Sequence, residues 1–332
     1  MGKIIKWGIL GCGKIAAKFA SDLKLVKDAQ LSAVAARSLS SAESFAKNFN
    51  ADKAYGSYLD LVNDAAIDVI YIATPHSFHF EHTMLCLQHG KAVLCEKPFA
   101  INTKQAKAMI ALAKQQKVFL MEALWTKFLP HYQQLMQIIE EGKLGTVQSV
   151  LINFGFKPQP PVSPRLFEPE LGGGTLLDIG IYNVFMALSV LGKPQHIQAA
   201  MIPHAHLSVD EQCSILFTYK NGAMAQLFSS FTTTLPTEAE IAGTKASIKL
   251  TSRFYEPSAK ILYYDFSIKE AVEISVDKTE GWGYQYEAQH VTNCLQQGLT
   301  ESPVMTHELT LTLMETLDSI RSIAGISYPQ DV

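Results

Sequence analysis

IIKWGILGCGKIAAKFA, residues 4–20, is the stretch that decides the fold. Its first half, Ile4 to Gly11, is an apolar run suited to a strand buried on both faces. From Lys14 to Val26 the apolar residues recur at helical spacing. Between the two stands GCGKIA, Gly11 to Ala16. Gly11 allows a tight turn, and Gly13 lets backbone amides approach a pyrophosphate. Ala16 takes the place of a third glycine, where a small residue lets the helix pack closely. The helix N-terminus then turns its dipole and free amides toward the phosphates. GxGxxA alone is weak, since glycines are common in turns. Its place between a strand and a helix is the context the motif requires. Gly11, Cys12, Gly13, Lys14 and Ile15 are therefore expected to cradle a dinucleotide.

Outward from that unit, strand and helix alternate. Leu31 to Ala36 reads as a second strand, followed by the helix-like SSAESFAKNF and a short piece around Tyr55. DVIYIA (Asp68 to Ala73) is a further buried strand, with a helix from Phe78 to Gln88 after it. Then come a strand from Ala92 to Cys95, a helix from Thr103, and the strand VFLMEAL. Such alternation implies parallel strands with helical crossovers, a doubly wound sheet whose ligands bind outside the carboxyl ends of the strands.

Three of those ends carry chemistry. After the second strand, AVAARSLSS places Arg37 and Ser38 where an acid usually meets a free ribose 2′-hydroxyl. A guanidinium and a hydroxyl would bind a 2′-phosphate instead, so NADP is expected over NAD. The bland reading of Arg37 is a solvated loop charge. Beyond the DVIYIA strand, TPHSFHFEH puts Thr74, Pro75, His76 and His79 beside the cofactor crevice. A metal reading of His76, His79 and His82 fails on geometry: three-residue steps drift about 60° around a helix, and no further ligand stands at metal-site spacing. No metal is expected. After the strand at 92–95, KAVLCEKPFAIN delivers Glu96 and Lys97 to a carboxyl end, and Pro98 turns the chain away.

The 332 residues suit two domains, taken as 1–124 and 125–332, with the C-terminal helices free to pack back on the first. Hydrophobic residues make up 48% and charged residues 18%, an ordinary globular mixture. With 28 basic against 31 acidic residues there is no surplus for a phosphate backbone or an anionic bilayer, so neither nucleic acid nor membrane is an expected partner. The N-terminus lacks a signal-peptide pattern and a good myristoylation match, and no stretch reads as long and apolar enough to span a bilayer. Five scattered cysteines with no CxxC pair suit reduced thiols in the cytoplasm.

Beyond residue 147 the period changes. QSVLINFGF, SILFTYK, AMAQLFSSF, EAEIAGTKASIKLT, KILYYDF and VEISV are short, β-branched or aromatic, and predict a largely antiparallel sheet. Apolar residues on both registers suggest that one face packs on helices and the other on a partner subunit's sheet. Within this half, a loop with five prolines (158–169) runs into Gly172-Gly173-Gly174 and then a long apolar helix. Asp178 and Tyr182 stand four apart on it and so share one face. Alone they read as a core tyrosine and a residue serving the helix dipole. Beside a lysine that needs a substrate, they read as catalytic.

The glycine loop, EKP, MEALWTKFLP, ELGGGTLLDIGIYNV and ESPVMTHELTLTLMETLDSIR together resemble the glucose–fructose oxidoreductase / inositol dehydrogenase superfamily. The resemblance spans essentially the whole chain. It is strongest to the subgroup of dimeric dihydrodiol dehydrogenases and NADP-dependent D-xylose dehydrogenases. It implies an α/β Rossmann domain followed by an α+β domain with a largely antiparallel open-faced sheet that forms a homodimer. It also implies Lys97 and Tyr182 at the catalytic centre with Asp178 beside them, and Trp125 bordering the nicotinamide. Phe154, Arg165 and Trp282 are implied as substrate-cleft residues. Many superfamily members carry a His where Tyr182 stands, which favours the diol and aldose subgroup.

The expected reaction is oxidation of a secondary or anomeric hydroxyl of a trans-dihydrodiol or an aldose. Either a neutral Lys97 takes the hydroxyl proton, or a charged Lys97 assists Tyr182 in taking it. The first requires the lysine pKa to fall about three units from its reference of about 10.4, roughly 4 kcal/mol. The second uses both residues and is preferred. The rival class is a non-catalytic NADP-binding regulator of the same fold, which would need neither Lys97 nor Tyr182.

Overall fold

The computed structural model describes residues 2–277 and 280–332. The chain divides into two compact units, Met1–Trp125 with Glu280–Leu311, and Thr126–Thr279 with Thr312–Val332.

In the first unit the elements run β1 (Ile5–Leu10), α1 (Lys14–Leu23), β2 (Ala29–Ala35), α2 (Leu39–Phe49), β3 (Lys53–Tyr55), α3 (Tyr58–Asn63), β4 (Val69–Ile72), α4 (His79–Gln88), β5 (Ala92–Glu96), α5 (Thr103–Gln116) and β6 (Leu120–Ala123). Among the described residues the strands form one parallel sheet in the order β3-β2-β1-β4-β5-β6. The order reverses between β1 and β4, so the switch-point crevice opens at their carboxyl ends. β4, β5 and β6 are buried throughout, as strands covered on both faces must be. α1 buries Ala16, Phe19, Ala20 and Leu23, the stripe its spacing predicted. Phe19 stacks on Tyr71 of β4 at 3.8 Å between ring centroids.

In the second unit, α6 (Pro130–Glu140) and β7 (Val147–Gly155) precede the proline-rich loop. The apolar segment beyond it opens with a π-helical turn, Leu176–Gly180, and continues as α7 (Ile181–Leu191). Seven strands come next: β8 (His196–Pro203), β9 (Asp210–Thr218), β10 (Met224–Ser230), β11 (Ala239–Gly243), β12 (Ala246–Leu250), β13 (Ile261–Asp265) and β14 (Glu270–Ile274). With β7 they form a sheet in the order β14-β13-β12-β11-β7-β10-β9-β8. Every neighbouring pair is antiparallel except β7 with β10. Val150, Ile152, Phe217, Leu227, Ile241 and Ile248 are buried on one register. On the opposite register Leu151 and Met224 are more than 40% exposed. The chain closes with α8 (Tyr284–Gln296), which belongs to the first unit, and α9 (His307–Ala324).

The structure departs from the sequence expectations in several elements. EAEIAGTKASIKLT is two strands, β11 and β12, joined by a tight turn at Thr244 and Lys245. The helix expected from Phe78 to Gln88 runs from His79 to Gln88 and is preceded by a 3₁₀ turn over His76–Phe78. α3 and β8 were not foreseen at all. The expectation that no stretch is apolar and long enough to cross a bilayer is corrected by Pro169–Leu191, 23 residues that meet both measures. Of its 18-residue apolar window 83% is buried inside the protein, which is the setting of a core helix.

Candidate active site

The glycine turn lies at the carboxyl end of β1. Gly11 adopts φ +97°, and a Cβ there would approach the Ala73 carbonyl oxygen to 3.0 Å, so the fold itself demands glycine. Gly13 is different: a Cβ there would meet nothing within 4 Å. Its bareness serves whatever approaches from outside. Gly13 caps α1 without a side-chain hydrogen bond, leaving the first-turn amides to a ligand. A cavity of about 360 Å³ adjoins this turn, lined by Cys12, Ser40, Ser41, Ser44, Phe45 and Asn48. Hydroxyls and an amide line it, and no acid does among the described residues. Arg37 and Ser38, both exposed, immediately precede the serines of this lining, and Ser38 caps α2 by accepting the Ser41 amide. These residues fit a dinucleotide.

The carboxyl ends of β4 and β5 are tied together. His79 is fully buried, and its ring nitrogens lie 2.9 Å from the Thr74 carbonyl oxygen and 2.7 Å from that of Pro98. Burial pushes His79 down to about 4, so the ring is neutral and donates to one of the two oxygens at a time. His76 is buried with its ring 5.8 Å from that of His79. His82 turns instead to the Thr74 hydroxyl, 3.0 Å away.

Backbone bonds fix the segment that carries Lys97. The Lys97 amide donates to Glu96 Oε2 at 3.2 Å, and the Phe99 amide to Glu122 Oε1 at 3.1 Å. The Tyr71 hydroxyl donates to Glu96 Oε1. Desolvation raises the Glu122 carboxyl to about 7. Trp125 is buried and stacks on Tyr284 at 4.5 Å, with only 5° between the rings. Trp282 sits on α1: its amide donates to the Asp22 carboxylate, and Lys18 Nζ lies 4.3 Å from its ring centroid.

In the second unit, Arg165 Nη1 pairs with Asp178 Oδ1 at 2.7 Å. Asp178 lies in the π turn, wider than the α turn expected, and Tyr182 in the first turn of α7. Both are 6% exposed. Phe154 and Tyr182 have ring centroids 6.0 Å apart. Between them comes Tyr255, stacked on Phe154 at 4.4 Å and tilted against Tyr182 at 4.8 Å. Arg253 donates to the Tyr255 hydroxyl at 2.8 Å. Tyr255 was not among the sequence candidates. Its signal was the aromatic pair Phe254-Tyr255 in the turn-rich loop between β12 and β13. This unit thus gathers Arg165, Asp178, Phe154 and Tyr182, while the first gathers Glu96, Lys97, Thr74 and His79.

A parallel sheet in this order, with a bare glycine turn after its first strand, defines a dinucleotide-binding protein. Comparison with known proteins agrees. Residues 5–124 match the oxidoreductase family with an NAD-binding Rossmann fold, and residues 132–249 match the GFO/IDH/MocA C-terminal domain. The chain belongs to the GFO/IDH/MocA oxidoreductase family. It is 38% identical over 331 residues to trans-1,2-dihydrobenzene-1,2-diol dehydrogenase of Xenopus tropicalis, covering 98% of this chain and 99% of that one. The Homo sapiens protein of the same name is 36% identical over 334 residues, with the same coverage. Two solved structures share the fold. An aldose-aldose oxidoreductase from Caulobacter crescentus complexed with glycerol has a TM-score of 0.89 at 21% identity, covering 97% of this chain and 98% of that one. A 3-ketoreductase from Actinomadura kijaniata in complex with NADP and TDP-benzene has a TM-score of 0.87 at 24% identity, covering 96% and 98%. The chain is a nicotinamide-nucleotide-binding dehydrogenase.

Proposed function

We propose that this enzyme is an NADP-dependent dehydrogenase that oxidises a ring-borne hydroxyl of a trans-dihydrodiol, with an aldose such as D-xylose as the related substrate class. The observation that carries this reading is the buried face of the second unit, where the Tyr182 phenol adjoins the rings of Phe154 and Tyr255. A flat hydrocarbon ring or the apolar face of a sugar packs on such rings. The Asp178–Arg165 pair beside it offers polar groups to a neighbouring hydroxyl. The relatives named as dihydrodiol dehydrogenases favour the diol.

NADP, when bound, accepts the hydride from the carbinol carbon. The protein's part concerns the proton and the charge. Tyr182, as phenolate, takes the hydroxyl proton while the carbon–hydrogen bond breaks and the carbonyl forms. Lys97, as ammonium, favours the phenolate and stabilises the developing alkoxide. Asp178 holds the substrate's second hydroxyl, and Arg165, paired with it, keeps Asp178 oriented.

Gly11, Cys12, Gly13, Lys14 and Ile15 bind the pyrophosphate, and Arg37 and Ser38 the 2′-phosphate. Thr74, Pro75, His76, His79, Glu96 and Trp125 border the nicotinamide half. The acid-free, hydroxyl-lined cavity at α2 supports NADP over NAD. The exposed apolar register of the second sheet supports a homodimer joined through that face. Five unpaired thiols support residence in the reducing cytoplasm.

The test is the absorbance change of NADP with trans-dihydrodiols, aldoses and inositols, and NAD in parallel. Reduction of NADP by diols above the others is expected. Reduction by inositols alone, or a preference for NAD, would overturn the reading.

A further inference from the structure

Asp210 opens β9 and is fully buried. Its Oδ2 accepts the Thr175 hydroxyl at 2.5 Å and the Leu176 amide at 2.8 Å. Those two groups begin the helical segment that carries Asp178 and Tyr182 within its next two turns. The segment has no capping side chain of its own. A carboxylate reaching in from a strand 35 residues away supplies the cap and faces the positive end of the helix.

The surroundings are shaped for that carboxylate. Gly174 adopts φ +104°, and a Cβ there would stand 2.3 Å from Asp210 Oδ1. The Thr175 hydroxyl accepts from Ser229 Oγ of β10 at 3.0 Å. The Gly173 carbonyl accepts from the Tyr328 hydroxyl at 2.6 Å. The glycine hinge is therefore pinned from β9, from β10 and from the C-terminal segment. The pinned residues lead directly into the π turn, where one residue of slippage would return the helix to α geometry and rotate everything beyond it.

We propose that Asp210 is a positioning residue for the hydroxyl chemistry, holding Thr175 and Leu176 so that the π turn keeps its register and Asp178 and Tyr182 keep their places. The proposal rests on the catalytic reading of Tyr182 given above. It also carries a pH signature. Desolvation raises the Asp210 carboxyl to about 6, against the hydrogen bonds from Thr175 and Leu176. The titratable groups that face it are Cys213 on its own strand and Tyr328, behind which stand Arg321 and Asp331. Burial keeps Cys213 and Tyr328 neutral through the physiological range. Acidification through about pH 6 thus protonates Asp210 and weakens its hold on the helix end.

The experiment compares Asp210→Ala, Asp210→Asn and Tyr182→Phe with the wild-type full-length enzyme, using NADP and a trans-dihydrodiol. kcat is measured from pH 5 to pH 8, with NADPH affinity by fluorescence and folded fraction by thermal unfolding. Asp210→Ala is expected to lower kcat roughly 10- to 100-fold, as small displacements of catalytic groups do. NADPH affinity should be unchanged. Asp210→Asn, uncharged but still able to accept both hydrogen bonds, should run at every pH near the rate that the wild type shows below pH 6, faster than Asp210→Ala and without an acid-side fall in kcat. Wild-type kcat in Asp210→Ala while Tyr182→Phe is slow would overturn the proposal. So would an Asn variant as slow as Ala at equal folded fraction. An unimpaired Tyr182→Phe beside a slow Asp210→Ala would remove the link through Tyr182, and the catalytic reading with it. If Asp210→Ala does not fold, Thr175→Val removes one of the two bonds, and a wild-type kcat there would equally overturn the proposal.

Discussion

Lys97 is placed by its backbone before its side chain does anything. Its own amide is bound by Glu96, the following carbonyl lies within reach of His79, and the next amide is bound by Glu122. The residue's place at a strand end was legible in EKP, because an apolar run that stops at a charged pair and a proline has few other meanings. The groups that hold it were not. Glu122 reaches Phe99 across 23 residues, and Asp210 reaches Thr175 across 35, distances at which no local pattern survives. Glu122 yields a prediction at this scale. Its carboxyl titrates near 7 in the folded protein and near 4.5 unfolded, so between those values the folded state binds the extra proton. Stability is then lost as pH rises through that window, by up to about 3 kcal/mol. Glu122→Gln removes the term, so its Tm should exceed that of wild type by more at pH 8 than at pH 5. Parallel Tm curves for the two proteins would refute it. Tyr182→Phe, in turn, should keep the fold and slow turnover roughly 100-fold or more, as loss of a proton-transfer group does; an unaltered kcat would take Tyr182 out of the proton path.

Among the elements, the parallel strands were readable because burial on both faces writes them as continuous apolar runs, as in DVIYIA. α3 is six residues long, too short to display a helical period, and β8 (HIQAAMIP) mixes small and polar residues with no clean alternation. The π turn was invisible for a different reason: LLDIG is equally apolar in either helix type, and the tie to Asp210 accompanies it only in three dimensions. The glycine turn is the element whose geometry and role coincide most closely. Gly11→Ala forces a side chain into positive φ against the Ala73 carbonyl, at a cost of about 1–3 kcal/mol. NADPH affinity should fall by at least roughly tenfold, which is what about 1.4 kcal/mol of displaced turn would remove. Fluorescence titration measures it, and wild-type affinity would show that the turn does not shape the pyrophosphate site.

For the whole molecule, the homodimer proposed above rests on the open face of the second sheet. Leu151 lies in β7, an interior strand of the second sheet, opposite Gln226 and Glu240, with 43% of its surface exposed. An apolar side chain left open in the middle of a sheet, rather than at its edge, suits a face that a second copy covers. Leu151→Lys should shift the protein from dimer to monomer in light scattering after size exclusion, without changing its NADPH affinity. A wild-type mass for that variant, or a wild-type protein that is monomeric, would count against the assembly proposed. The sharpest test is substitution of Lys97. Lys97→Met should bind NADPH with near wild-type affinity and show no measurable NADP reduction with any trans-dihydrodiol or aldose that the wild type oxidises. Turnover near the wild-type rate would contradict the account, because the strand would then be delivering its ammonium to a site that does not use it.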